Sequence, residues 1–241
     1  MKQEIIAKAI DHALEEAPRE SVGLVAVVKG RERYVRCKNL AKTDDYFCLD
    51  PRDYAKTAET GEIVCIVHSH PTTNPEPSDA DLVSCERSRL PWLIVNPVTG
   101  GHTLTEPSGY KQPLLGREWV WGVSDCWTLC RDWYIEQGLT MVDFDRPPTP
   151  EEFEQKPLFE ESWQIAGFTE VPADQMQYGD LVLMNLQSPV DGLNHCGVCV
   201  EDGLLLHHVR KRLSSRDVYS QMLRNKTGRV LRHYDAEKLM A

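Results

Sequence analysis

The chain has 241 residues, with 27 Lys and Arg against 37 Asp and Glu, for a net charge of −10. A 41% apolar fraction supports packed cores and excludes a largely disordered or fibrous chain, and the acidic balance argues against a nucleic-acid partner. No apolar run approaches the roughly 20 residues that cross a bilayer, and residues 1–20 are a charged helical pattern without the apolar core of a signal peptide. The expectation is therefore a cytoplasmic chain, not inserted in a membrane, whose length suits one large or two modest domains.

In the first segment, Ile6, Ile10, Ala13 and Leu14 repeat at helical spacing over 2–16, and Pro18 ends the pattern. Strands are predicted at 24–29 and 33–37 around Gly30. A helix follows at 50–60, then a β-branched strand at 62–68. The prolines of 71–77 predict a rigid loop; a helix at 79–88 and a strand at 92–96 come next. Strands alternating with helices indicate an α/β domain over 1–105. Residues 106–113, polar with two prolines and a glycine, read as a linker.

The second segment, 114–235, opens with a helix at 126–137 whose inner stripe is Leu129, Cys130 and Trp133, with Gly138 just beyond its end. Residues 141–180 carry ten acidic and two basic side chains and read as an exposed excursion. Thr149-Pro150-Glu151-Glu152 starts a helix within it. Apolar runs at 181–186, 196–200 and 204–209 predict an antiparallel sheet, the last two joined by a hairpin at Asp202-Gly203. Residues 209–232 hold eight basic and one acidic residue, which reads as a solvated face or a partner for the acidic excursion. A tail, 236–241, ends the chain.

Eight cysteines without a secretion signal read as free thiols. Cys196 and Cys199 form a C-x-x-C within a predicted strand. There they point to opposite faces, which suits two small buried hydrophobes better than a redox or zinc pair.

Two constellations carry chemistry. His68 and His70 end a predicted strand on one face, and Asp81 follows near the start of a helix. Two His and one Asp leave a position for water, the open arrangement of a catalytic zinc site; Glu20 is the candidate base. The pattern H-x-H-P, six residues, S-x-x-D, with the upstream Glu20, resembles the JAMM metallopeptidases. That resemblance implies one zinc per chain on His68, His70 and Asp81, with Asp79 as the rival ligand. It further implies that Glu20 activates a water and that Ser78 steadies the tetrahedral intermediate.

Cys126 opens a predicted helix after Ser124-Asp125, where the helix amides and dipole favour a thiolate. His195 and His207 flank the Asp202-Gly203 hairpin, but their register across it is unsettled. Asp125-Cys126, Gly179-Asp180-Leu181-Val182, His195-Cys-Gly197 and His207 resemble the NlpC-type papain-like cysteine peptidases. By that resemblance Cys126 is the nucleophile, His195 the base and His207 its orienting group, with His208 as the alternative to His207. Trp127-Thr128 departs from the Ser-Gly that usually follows the nucleophile. The implied fold is a JAMM-type mixed α/β sandwich followed by a papain-like helix-plus-antiparallel-sheet domain, an α/β plus α+β chain.

A JAMM domain joined to an NlpC-type domain resembles the tail tip assembly proteins of lambda-like siphophages. It implies phage tail tip proteins and peptidoglycan stem peptides as partners, and cleavage between D-glutamyl and a diamino acid. The expected location is the host cytoplasm during assembly, and the virion tail tip. Competing readings are a non-catalytic assembly factor using both folds as binding modules and a ubiquitin-like processing enzyme led by the zinc half.

Overall fold

A computed structural model describes residues 1–41, 46–156, 158–186 and 192–239. The chain divides into two compact units, 1–111 and 112–241, each with cores of its own.

In the first unit, helix α1 (Gln3–Glu16) is followed by strands β1 (Val22–Val28) and β2 (Arg31–Cys37), helix α2 (Pro51–Thr60), strand β3 (Glu62–Ser69), helix α3 (Asp79–Ser88), and strands β4 (Trp92–Val95) and β5 (His102–Thr105). The five strands form one sheet in the order β2-β1-β3-β4-β5, in which only β3 and β4 run parallel. Alternation along the strands divides the core. Val25, Cys65, Val67, Leu93 and Val95 meet Ile5, Ile6, Ala9 and Ala13 of α1 on one face. Val22, Leu24, Ile66 and Trp92 meet Cys85 of α3 on the other. The short edge strand β5 has no apolar run and was not foreseen. The expected linker is not loose at its start: the Glu86 carboxylate accepts the backbone N–H groups of Ser108, Gly109 and Tyr110.

The second unit has helices α4 (Cys126–Glu136), α5 (Pro150–Glu154) and α6 (Leu158–Ser162), strands β6 (Phe168–Val171), β7 (Leu181–Met184), β8 (His195–Val200), β9 (Leu204–His207) and β10 (Ser215–Val218), helix α7 (Gln221–Arg224) and strand β11 (Thr227–His233). The sheet is antiparallel throughout, in the order β10-β9-β8-β7-β11-β6. Leu129, Cys130 and Trp133 of α4 pack on Cys196, Val198 and Leu206.

One expectation fails here. The stretch 141–180 is not an exposed excursion: Met141, Phe153, Phe159, Ala166 and Phe168 are buried in the main core. Its acidic residues lie between widely spaced aromatic anchors, so composition hid the anchors. Its charges also pair with the basic stretch, through Arg210–Glu151 at 2.8 Å, Arg229–Glu170 at 2.6 Å and Arg232–Asp180 at 2.9 Å. The described part of the tail forms a 3₁₀ turn at Ala236–Leu239, with Ala236 buried and Leu239 packed against the core.

Candidate active sites

In the first unit, β3 delivers His68 at its end, paired with Val22 of β1, fully buried between Phe47 and Trp92. The loop after His70 is pinned by Asn96, whose amide donates to the carbonyls of His70 and Thr73. Ser78 then caps α3, and Ser78 and Asp81 close a reciprocal capping box. That box fixes the carboxylate. Asp81 Oδ2 accepts from the Ser78 backbone N–H and hydroxyl, while Oδ1 lies 3.1 Å from His68 Nε2.

His68 Nε2 is 3.1 Å from His70 Nε2, and His70 Nε2 is 3.3 Å from Asp81 Oδ2. His70 Nδ1 faces the Asn74 carbonyl, which only accepts. The hydrogen of a neutral His70 therefore sits on Nδ1, and the Nε2 lone pair points at the other two side chains. Burial opposes charge on both partners. For Asp81 the two imidazoles and Ser78 outweigh it and hold the carboxyl well below the usual range; for His70 the bonds to Asp81 and Asn74 raise the imidazole pKa. The three ligand atoms lie within 4.8 Å of one another, the one such group of three among the described residues. Lone pairs converging on a common point are what a cation requires, so the donor set fits a metal.

Glu20 is half-buried, and its negative charge helps raise the pKa of His70. Asp79, the rival ligand, is turned away and accepts a hydrogen bond from the Tyr110 hydroxyl at 2.7 Å.

In the second unit, Asp125 caps α4, its Oδ1 accepting from the Thr128 N–H. Its other oxygen meets Arg146 Nε at 2.7 Å. Asp125 is 1% exposed. Burial opposes its ionisation, but Arg146, Thr128 and Gly122 hold its pKa below the ordinary value. Cys126 is thereby fixed at the helix N-terminus. The neighbouring Cys196 and His195 side chains lower the pKa of its thiol against the opposing cost of burial. Cys130, one turn along and 3.6 Å from Cys196 sulfur to sulfur, is pushed the other way by burial, and so is Cys196.

The unsettled hairpin register is resolved by a turn at Glu201–Gly203 with Asp202 at φ 62°. Val200 pairs with Leu204 and Gly197 with His207, so His195 is the diagonal neighbour of His207 on one face. His195 Nε2 and His207 Nδ1 are 3.1 Å apart. Gly197 makes room for this approach: a Cβ there would stand 2.9 Å from the His207 Cβ and 2.8 Å from Leu205 Cγ. His207 Nε2 lies 3.2 Å from Asp217 Oδ2 on β10, without good hydrogen-bond alignment. Burial and the neighbouring His195 lower the pKa of His207 to about 4, so the ring is neutral near pH 7. A neutral His207 turned toward a carboxylate carries its hydrogen on Nε2. Its Nδ1 then accepts from His195, leaving the Nδ1 edge of His195 for the thiol. His208 is buried elsewhere, on the Arg212 carbonyl.

Residues 2–107 match the family of prokaryotic homologs of the JAB domain, and residues 116–232 match the NlpC/P60 family. Over 239 residues the chain is 36% identical to the tail tip assembly protein K of Escherichia phage N15, covering 98% of this chain and 96% of that protein. The chain belongs to the tail tip assembly protein K family. The K protein of Escherichia phage lambda is 35% identical over 185 residues, 77% of this chain and 89% of its own. Among solved structures, an NlpC/P60 family protein from Bacillus cereus aligns at 12% identity and a TM-score of 0.34, over 92% of this chain and 66% of that one. A protein from Desulfitobacterium hafniense aligns at 22% identity and a TM-score of 0.36, over 43% and 78%.

In this K-family chain, sequence reasoning missed Asp217 and Arg146. The alternation of Ser215-Arg-Asp-Val218 was the available signal for an edge strand carrying Asp217, but the surrounding basic run masked it. Arg146 lies in the stretch misread as an excursion. Of the four tryptophans near Cys126, Trp127 and Trp133 are core residues, while Trp119 and Trp121 stack at 6.0 Å and line the cleft beside Cys126. No described helix is long and apolar enough to cross a membrane.

Proposed function

We propose that this K-family chain acts in phage tail tip assembly with a working cysteine peptidase site, and that its substrate is the peptide stem of peptidoglycan, cut between D-glutamyl and a diamino acid. The observation that carries the reading is the ordered series Cys126, His195, His207 and Asp217, with a depressed thiol pKa at one end and a carboxylate at the other. In this reading the Cys126 thiolate adds to the scissile carbonyl carbon. The first amides of α4 face the oxygen as it gains charge. His195 gives its proton to the leaving amine, and the thioester that remains is hydrolysed by a water from which His195 takes a proton. His207, neutral and backed by Asp217, holds the His195 ring in the required tautomer.

The polar side of the cleft, where Asn194, Arg210, Lys211, Glu151 and Glu154 surround the nucleophile, suits a substrate whose side chains carry both signs of charge. Tail tip proteins are the assembly partners, the host cytoplasm is the place of assembly, and the virion tail tip is the place of action.

The zinc half is proposed as a peptidase or isopeptidase that processes a tail protein. His68, His70 and Asp81 hold one zinc per chain; when bound, zinc polarises a carbonyl and makes a water more acidic. Glu20 would accept the proton of the attacking water, and Ser78, whose hydroxyl donates to Asp81 Oδ2, would steady the tetrahedral intermediate on turning from that carboxylate.

The test is the product spectrum of purified sacculi. Wild-type chain is expected to release fragments with a new amino terminus on the diamino acid, and Cys126→Ala to release none. Release of the same fragments by Cys126→Ala would contradict the reading.

A further inference from the structure

Cys126 borders two cavities. One is the polar cleft on the His195 side. The other, which opens to solvent, is walled by Trp121, Trp127, Phe144, Phe153, Leu158 and Phe159. Trp121 and Phe153 line both and so stand between them. The aromatic walls brace one another: Trp127 packs on Phe144 at 5.4 Å and on Phe159 at 6.3 Å, and Phe153 packs edge-on to Phe159 at 5.2 Å and to Trp121 at 5.2 Å.

The one cation lining this pocket is already taken: Arg146 meets Asp125 at 2.7 Å, and the remaining charged group, Asp145, is exposed. A glutamyl carboxylate would lose its water among these rings with no cation to receive it. The Trp127 ring lines this wall, while its Nε1 is buried without a hydrogen-bond partner. Trp127 is also where the sequence departs from the Ser-Gly usual after the nucleophile, so the departure builds the wall.

We propose that this pocket takes a bulky apolar side chain, aromatic or leucine-sized, next to the scissile carbonyl, and gives Cys126 a second substrate class: a polypeptide segment. The inference rests on Cys126 as nucleophile and goes beyond the stem-peptide reading.

The test uses the full chain and two peptidyl chloromethyl ketones that differ only in a phenylalanyl or a glycyl residue beside the ketone. In either case the Cys126 sulfur displaces chloride, forming one C–S bond as one C–Cl bond breaks. Mass spectrometry follows labelling of Cys126. The phenylalanyl reagent is expected to react about tenfold faster or more, the range that apolar side-chain selection reaches. Ser162→Trp, which fills the pocket from its half-buried lining position, should bring the ratio to about one. Should that variant label with neither reagent, Leu158→Trp fills the same space from another wall. A wild-type ratio of one, or a preference that survives the filled pocket, overturns the proposal and leaves the nucleophile standing. A wild-type chain that labels with neither reagent loses the nucleophile itself, and both readings with it.

Discussion

The two units build their candidate sites in opposite ways. In the first, His68, His70, Ser78 and Asp81 come from one strand, loop and helix start. Local chain geometry, closed by a capping box, brings the side chains together. In the second, Cys126 lies on a helix far in the chain from the three strands that carry His195, His207 and Asp217. Sheet register aligns the last three, and packing of α4 on the sheet brings Cys126 to them. The first site is a convergence of lone pairs on one point, and the second is a line along which hydrogens alternate. A convergent site should respond to the loss of any ligand as a unit, whereas a linear one should weaken by degrees with distance from the thiol.

The sharpest break is in metal content. His68→Ala/His70→Ala should reduce bound zinc from one per chain to background, because one carboxylate remains where three ligands stood. Labelling of Cys126 should not change, since each unit has its own core. Full zinc in that variant would contradict the convergent site.

Next in size is Arg146→Ala. It strands Asp125, 1% exposed, as an unpaired buried charge beside Cys126, at a cost of about 3–5 kcal/mol to the second unit. Because pairing holds the Asp125 pKa below its unfolded value, the stabilisation is fully present above the ordinary carboxylate range near 4 and is lost as pH falls from there through the lower folded pKa. Urea melts of both proteins at pH 7 measure the difference, and a change under 1 kcal/mol would sink this account of the pair.

A smaller effect is expected from Gly197→Ala. The new methyl would press on Leu205 and His207, costing about 1–3 kcal/mol and loosening the contact between the two imidazoles. Sacculus cleavage should fall more than stability does. Unchanged cleavage would mean that register at Gly197 does not align the histidines.

The same contrast explains what was legible. Apart from β5, the elements of the first unit were readable because periodicity and capping residues sit beside each other in the chain, as at Ser78-Asp-Ala-Asp81. The metal group needed only strand alternation and a short loop. In the second unit α4 and its Asp125 cap were readable for the same reason, and so was the apolar pattern of β7, β8 and β9. The partner of His207 was not, because Asp217 reaches it through a strand that carries no apolar pattern. Acidic composition over 141–180 concealed Phe153, Phe159 and Phe168, whose burial depends on contacts with Trp127, Tyr134 and the sheet. Trp127 was visible as an oddity, but only the packed rings around it give it a wall to belong to.

The central claim is that Cys126 is a thiolate held by His195. Burial pushes Cys37 up to about 12 and Cys85 to about 11, whereas the neighbouring Cys196 and His195 side chains take Cys126 the other way. Mass-spectrometric labelling by iodoacetamide, cysteine by cysteine against pH, reads this directly. Cys126 is expected to react rapidly near pH 6, well below the roughly 8.5 of an ordinary thiol. Its profile should move to higher pH in His195→Ala and shift less in His207→Ala. A Cys126 that labels at pH 6 no faster than Cys37 or Cys85, or whose profile ignores His195→Ala, would contradict the nucleophile and leave the second unit a binding module.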